Sequence, residues 1–429
     1  MALSKRVNFL NFSTSRPVSR ATSTILILIV LAAISSAISF AKFDHCRNTN
    51  WKAPDSFVHA CYSDIPILLV ARQLNTHQWS YSGGERSVEY PVLTGAVMWA
   101  TAWISPQGKN LLRNYFDINA FFIALLFMLA ISLVWKMRPQ YAYLLALSPA
   151  VIASLFINWD MWGIVTMLAA ILFYDQRKFT LSAAFLGISI ATKFFPVLLL
   201  LPIAIIFWRR RTLRSFFIYL LLVSGTWLAI NLPVMLTTPI GWWRFYKLNL
   251  DRQGDWGSIW HALSVLGLPV NHLNYLSLIA LLVVVSAFAL YLLEITVIPS
   301  LAEVSFLLLA AILCIGKVYS PQYVLWLVPL AVLALRHKSQ FAAFWAWQSG
   351  EAIYHIAIWQ HLASVQGSQF GLPVSGEALA TLVRIATSVI FMAVLVRSSL
   401  KNPPPQAQLH MDSRGRLPDF PLSTTSSYP

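Results

Sequence analysis

The chain has 429 residues, 58% of them hydrophobic and 11% charged, with a formal net charge of +15. Its apolar residues fall in long unbroken runs rather than at the spacing of a half-buried soluble helix, which excludes a soluble globular domain and predicts an all-α polytopic membrane protein. Lys and Arg sit in short clusters at the ends of those runs, as membrane topology produces, which argues against a nucleic-acid-binding surface.

Lys5, Arg6, Arg16 and Arg20 precede the first apolar stretch and place the N-terminal segment, 1–22, in the cytoplasm. Apolar stretches then follow at roughly 23–41, 91–105, 118–135, 141–157, 158–174, 180–193, 194–208, 215–236, 276–297, 301–316, 321–335, 341–360 and 376–397. Ser39-Phe40-Ala41 resembles a signal-peptide cleavage site, but the run before it is long for a signal peptide. The loop 42–90 is therefore a long outer loop, and the basic clusters at Arg209–Arg214, Arg336–Lys338 and Arg397–Lys401 make 237–275, 317–320 and 361–375 outer as well. For both termini to be cytoplasmic, one stretch must fail to cross separately. The preferred reading makes 180–208 a single long helix kinked at Pro196, for about 12 crossings; the alternative is a hairpin of 180–193 and 194–208. Either one submerges Lys193. The tail 398–429, with Pro403 to Pro405 followed by Ser, Thr and Gly, is expected to be disordered cytoplasmic chain, leaving 23–397 as one transmembrane domain. No duplication between halves is evident, which weakens an inverted-repeat transporter reading.

Of three cysteines, Cys314 lies in an apolar stretch, while Cys46 and Cys61 share the first outer loop and are expected to pair if that loop meets an oxidising compartment. Outer loops usually avoid cations, yet these hold Arg47, Lys52, Arg72, Arg86, Arg244, Lys247 and Arg252. An anionic partner would explain them, and so would snorkelling to phospholipid headgroups. Lys193, inside an apolar helix, needs a partner or water. In Ser87-Val-Glu89-Tyr90-Pro91, the tyrosine suits a membrane interface and the proline a helix start. Residues 242–252 interleave aromatic and basic side chains, as a helix lying in the interface does. Turn chemistry in Lys317-Val-Tyr-Ser-Pro-Gln322-Tyr323 accounts for Ser320 and Pro321 but not for Lys317 or Gln322. Asp64 follows Ser63 and precedes Ile65-Pro66, so its plainest role is to cap a helix.

Cys61-Tyr-Ser-Asp64-Ile, Glu89-Tyr90-Pro-Val-Leu-Thr-Gly95, Asn158-Trp-Asp160, Lys193-Phe-Phe-Pro196 and Lys317 through Tyr323 together resemble the landmarks of glycosyltransferase family 87, in its actinobacterial branch. That family belongs to the GT-C superfamily, and its characterised relatives are polyprenyl-phosphate-mannose-dependent alpha-1,2-mannosyltransferases. The resemblance runs from about residue 23 to 397. It implies a GT-C-type helical bundle, a long first outer loop carrying an essential Asp, here Asp64, and a cavity open to the outer face. Asn158-Trp-Asp160 stands where many members carry a Gly-Gln pair.

Chemistry assigns roles consistent with this. A sugar on a lipid phosphate carries a good leaving group, so cations that steady the departing phosphate suffice, and the acceptor hydroxyl needs one base. Asp64 is the expected base, with Glu89 in reserve. Lys193, Arg252 and Lys317 are the expected phosphate partners, and Tyr90, Asn158, Asp160, Gln322 and Tyr323 are further substrate-binding candidates. No Gly-rich phosphate loop occurs, as expected for a lipid rather than a nucleotide donor, and no His/Asp cluster has convincing metal spacing, so neither cofactor nor metal is expected. The expectation is an inverting, metal-independent hexosyltransferase of the cell membrane, its site facing the extracytoplasmic side. It would move mannose, by the resemblance, from polyprenyl phosphate to a lipid or glycan. A lipid or glycolipid flippase would use the same basic cavity without a base, and a glycosidase would pair Asp64 with Glu89.

Overall fold

A computed structural model describes residues 20–401; the expected tail beyond 401 and the basic segment before 20 lie outside the described residues. Helix α1 (Arg20–Lys42) carries no charged residue between its ends, and its 23 residues are long enough to cross a hydrocarbon core of about 30 Å. The loop 43–91 is structured by short helices, α2 (Asp44–Thr49), α3 (Asp55–Val58) and α4 (Asp64–Ala71), and by two 3₁₀ turns. A disulfide joins Cys46 to Cys61 with their Cα atoms 5.9 Å apart. Beyond it come α5 (Val92–Trp103), α6 (Leu111–Met137), α7 (Tyr143–Ala146), α8 (Pro149–Ser154), α9 (Asp160–Asp175), α10 (Phe179–Thr192) and α11 (Leu200–Arg209). The chain continues through α12 (Leu213–Thr237), α13 (Pro239–Asp251), α14 (Ile259–Val265), α15 (Leu273–Glu294), α16 (Leu301–Ile315), α17 (Val324–Ala334), α18 (Phe341–Val365) and α19 (Val374–Lys401). The described residues contain no strand.

The core is continuous and helical, and the outer surface is also apolar. Leu276, Ile279, Leu282 and Val283 of α15 and Leu221, Leu228 and Leu236 of α12 all point outward. A surface of that kind is stable against lipid and a liability in water, so the molecule is a membrane protein. Five helices, α1, α6, α12, α15 and α19, are long and apolar enough to cross a bilayer, and shorter apolar helices fill the space between them.

Two sequence expectations are corrected. Residues 141–157 form no spanning helix but two short ones, α7 and α8, because Ser148 caps a new start at Pro149 by accepting from the Val151 amide, 3.3 Å away. Nor is 180–208 one kinked helix. Lys193 adopts an extended conformation (φ −139°, ψ 136°), a 3₁₀ turn follows over Phe195–Leu199, and α11 returns beside α10. Phe207 near the end of α11 lies 5.5 Å from Phe179 at the start of α10, ring to ring. The hairpin, not the kink, is the structure, and Lys193 sits at its turn. The last helix, α19, ends at Lys401.

Candidate active site

The site begins where the first loop docks onto the bend between α8 and α9. The Ser63 hydroxyl donates to the Phe156 carbonyl (2.8 Å) and the Asp64 amide to that of Ile157 (2.9 Å), which lays Asp64 beside Asn158. The plainer reading, that Asp64 caps α4, does not hold: Ser63 is the cap, its Oγ accepting from the Ile65 amide at 3.2 Å. The Asp64 carboxylate is left for other contacts. It accepts from the Tyr62 hydroxyl (3.1 Å) and the Asn158 side-chain amide (2.9 Å).

Asn158 is the hub. Its Nδ2 also lies 2.7 Å from the Tyr90 hydroxyl, and its Oδ1 accepts from the Trp159 amide (2.6 Å) and from Lys193 Nζ (3.2 Å). Lys193 pairs with Asp160 at 3.1 Å and rests 4.4 Å from the centre of the Tyr90 ring. Asp160, wholly buried, also accepts from the Trp326 indole at 2.7 Å. An ammonium in an apolar surrounding is tolerated when paired in this way. The sequence left open whether Lys193 faces a ligand or a partner; the structure gives it a partner and keeps it on the cavity wall.

The cavity, about 950 Å³, is lined by Asp64, Glu89, Tyr90, Asn158, Lys193, Arg252, Gln322 and Tyr323, and on its apolar side by Leu198, Leu309, Ile312 and Leu313. Its aromatic wall includes a stack of Phe195 on Trp326 at 4.2 Å and Tyr323 on Trp326 at 3.9 Å. Two expected site residues are not part of the lining. Asp160 lies behind Lys193, and Lys317 lies outside the wall, its ammonium donating to the Arg252 carbonyl (2.6 Å) and to Asn274 Oδ1 (3.0 Å). Arg252 itself pairs with Asp255.

Glu89 is held by Arg72 through two hydrogen bonds of 2.6 and 2.9 Å, which weakens its claim as a reserve base. Among the carboxylates lining the cavity, Asp64 alone has no cation in direct contact among the described residues. Removal from water pushes its pKa from 3.8 up to about 6, against the hydrogen bonds of Tyr62 and Asn158 and the charge of Lys193. A base with that pKa is deprotonated, and still a competent proton acceptor, near neutral pH.

Sequence reasoning missed a buried cluster behind the site. Arg384 of α19, fully buried, lies between the rings of Tyr319 and Tyr354, 3.5 and 3.6 Å from their centres. It donates to the carbonyls of Gly257 (2.8 Å) and Tyr319 (2.5 Å), and so ties together the two loops that carry Arg252 and Lys317. Glu377 accepts from the Gly257 amide at 3.0 Å on the same loop. The signal was present in Glu351, Glu377 and Arg384, ionisable residues within otherwise apolar helices. Also missed was a His/Asp cluster. His45, Asp55 and His59, which show no metal-ligand spacing in the sequence, converge in the first loop; the cue was a histidine within two residues of each loop cysteine.

The fold and cavity define a helical membrane protein with one unpaired carboxylate in a large amphipathic chamber. No family model matches the chain, and no curated protein matches it. Among solved structures it is similar to the crystal structure of ArnT from Cupriavidus metallidurans bound to undecaprenyl phosphate, with a TM-score of 0.44, 13% identity, and 87% of this chain and 77% of that chain covered. It is similar also to ArnT from the same organism in the apo state, with a TM-score of 0.44, 14% identity, and 89% and 78% of the two chains covered.

Proposed function

We propose that the protein is a membrane glycosyltransferase that moves a hexose, mannose by the resemblance to family 87, from a polyprenyl phosphate to an extracytoplasmic lipid or glycan. The observation that carries this reading is Asp64: a carboxylate on the wall of a large cavity, released from helix capping, held by two neutral hydrogen-bond donors and free of a paired cation. In the proposed reaction Asp64 takes the proton from an acceptor hydroxyl while that oxygen forms a bond to the anomeric carbon. The bond from the anomeric carbon to the phosphate oxygen breaks, and the polyprenyl phosphate leaves with the electron pair, so the configuration inverts.

The leaving phosphate would be met by Arg252, whose partly exposed pairing with Asp255 a phosphate can compete for, with Lys193 supplying a nearby fixed positive charge. Leu198, Leu309, Ile312 and Leu313 would take the first isoprene units. Tyr90, Asn158, Gln322 and Tyr323 would orient sugar hydroxyls. The cavity would open to the extracytoplasmic face, with both termini in the cytoplasm. The chemistry asks for no metal.

The test is a transfer assay with purified protein, labelled polyprenyl-phosphate mannose and a mixed glycolipid acceptor, run beside the corresponding nucleotide sugar. The proposal expects label to pass to the acceptor from the lipid donor only, with free polyprenyl phosphate appearing in step. Use of the nucleotide sugar, or transbilayer movement of the lipid in vesicles without bond cleavage, would contradict it.

A further inference from the structure

The first long loop carries a second cluster, outside the cavity. His45 Nε2 lies 2.6 Å from Asp55 Oδ2, and His59 Nδ1 lies 3.1 Å from Asp55 Oδ1. The two imidazoles stack with their centres 3.6 Å apart. One donor atom from each of the three residues lies within 4.8 Å of the other two, and no other group of three such residues converges in this way among the described residues.

We infer that His45, Asp55 and His59 form a binding site for a divalent transition metal of the zinc type. Two imidazole nitrogens and one carboxylate oxygen are a donor set that suits zinc, with water free to complete a tetrahedron. Bonds of about 2.0–2.2 Å in a tetrahedron place donor atoms roughly 3.3–3.6 Å apart. The 2.6 and 3.1 Å contacts run to the two different oxygens of Asp55, and with one donor atom per residue the three lie within 4.8 Å of one another, a cluster that must tighten onto an ion. Loading draws one donor atom from each residue together and turns the stacked rings toward a common point. Binding through His59 Nδ1 takes the tautomer protonated at Nε2 and gives up any donation from Nδ1–H to the Asp55 carbonyl, 3.1 Å away.

The frame that holds the ligands is covalent. His45 adjoins Cys46 and His59 stands two residues before Cys61, so the disulfide between those cysteines fixes the backbone on both sides of the cluster. Asp55 opens α3, and the Cys61 amide donates back to the Ser56 carbonyl at 3.0 Å. The side chains keep 40%, 39% and 45% of their surface in the order His45, Asp55, His59, which leaves an ion room to enter. The plainer account is a pair of imidazoles leaning on one carboxylate, and it calls for no metal.

An ion here joins α2 to α3. Phe57 of α3 stacks on Tyr62 at 5.1 Å, and Tyr62 donates to Asp64, so the metal braces the ground behind the cavity without entering it. The inference does not depend on the transfer reaction.

The experiment uses the full chain, untagged, purified in detergent, stripped with a chelator and titrated with Zn²⁺ in a calorimeter. The expected result is one equivalent bound and a rise in thermal midpoint. In His59→Ala and in Asp55→Asn the affinity should fall at least ~10-fold, the low end of what is lost even when a group behind a metal ligand is removed. In Asp44→Asn, a neighbouring exposed carboxylate, it should be unchanged. Asp55→Asn keeps the side-chain shape and so tests the site even if a histidine variant misfolds. Absence of stoichiometric Zn²⁺ binding to the unaltered protein, or binding that survives unchanged in Asp55→Asn, would overturn the inference.

Discussion

A carboxylate in the first turn of a helix is ordinarily read as serving that helix, and the sequence around Asp64 supported that reading. The structure hands the cap to Ser63, one residue earlier, and turns Asp64 to Tyr62 and Asn158. Sequence could place Asp64 at a helix start but not say which of two adjacent oxygens makes the cap, because that depends on where the loop meets Phe156 and Ile157. A consequence can be measured. With its pKa pushed to about 6, Asp64 gains its charge only as pH rises through that value, so the transfer rate should climb across pH 5 to 7 and level off above. The sign for stability is opposite. The folded state binds the extra proton between pH 3.8 and about 6, so this group's contribution to stability falls as pH rises through that window. A pH–rate profile without an acid limb near 6 would contradict the assignment.

Lys193 carries a second prediction at this scale. From sequence, Lys193 needs a partner or water; buried Asp160 is that partner. Lys193→Ala should destabilise the protein by roughly 3–5 kcal/mol by leaving Asp160 charged and unpaired. Lys193→Met combined with Asp160→Leu should recover much of that loss in thermal denaturation while transfer stays impaired. Equal instability of the single and double variants would show that the pair is not what Lys193 contributes.

At the scale of elements, most apolar stretches reappear as helices, because long runs without charge leave the chain few alternatives in lipid. Hydropathy failed where a run is continuous but the backbone is not. Lys193-Phe-Phe-Pro196 is apolar on both sides, and what breaks it is tertiary: Lys193 must reach Asp160 at the start of α9 and Asn158 in the bend before it. Gly163 of α9 makes that approach possible, since a Cβ there would stand 2.9 Å from the Lys193 Cβ, which is not free to swing aside. Gly163→Ala should therefore displace the hairpin turn at a cost of about 1–3 kcal/mol, with transfer reduced more than expression. Unchanged melting and turnover would show the turn to be pliable. In the first loop, the cysteine pair closes a separation of 15 residues, so Cys46→Ser should lower stability by up to ~3 kcal/mol in the chain-entropy model. A melting point equal to that of the unaltered protein would count against this.

For the whole molecule, the class was legible and the assembly only partly so. Composition fixes a membrane-embedded helical bundle, and the quoted motifs do converge. Asp64, Glu89, Tyr90, Asn158, Lys193, Arg252, Gln322 and Tyr323 come from six separate places in the chain to line one cavity. What no local pattern could reveal is which charges cancel. Glu89 is taken by Arg72, Lys193 by Asp160 and Arg252 by Asp255, and only after those pairings does Asp64 stand apart. Arg384, distant in sequence from all of them, shows in the sequence only as a charge in an apolar helix; that it holds two backbone carbonyls appears only in the fold.

The central claim is that Asp64 serves as a base, and the most direct measurement is the turnover of Asp64→Asn with a polyprenyl-phosphate hexose under single-turnover conditions. Asparagine can still be approached by Tyr62 and Asn158 in the same space, yet it cannot take a proton from a sugar hydroxyl. The account predicts a variant that folds, inserts and binds the lipid donor but transfers at least ~100-fold more slowly. Turnover within a few-fold of the unaltered protein would contradict it and remove Asp64 from the chemistry.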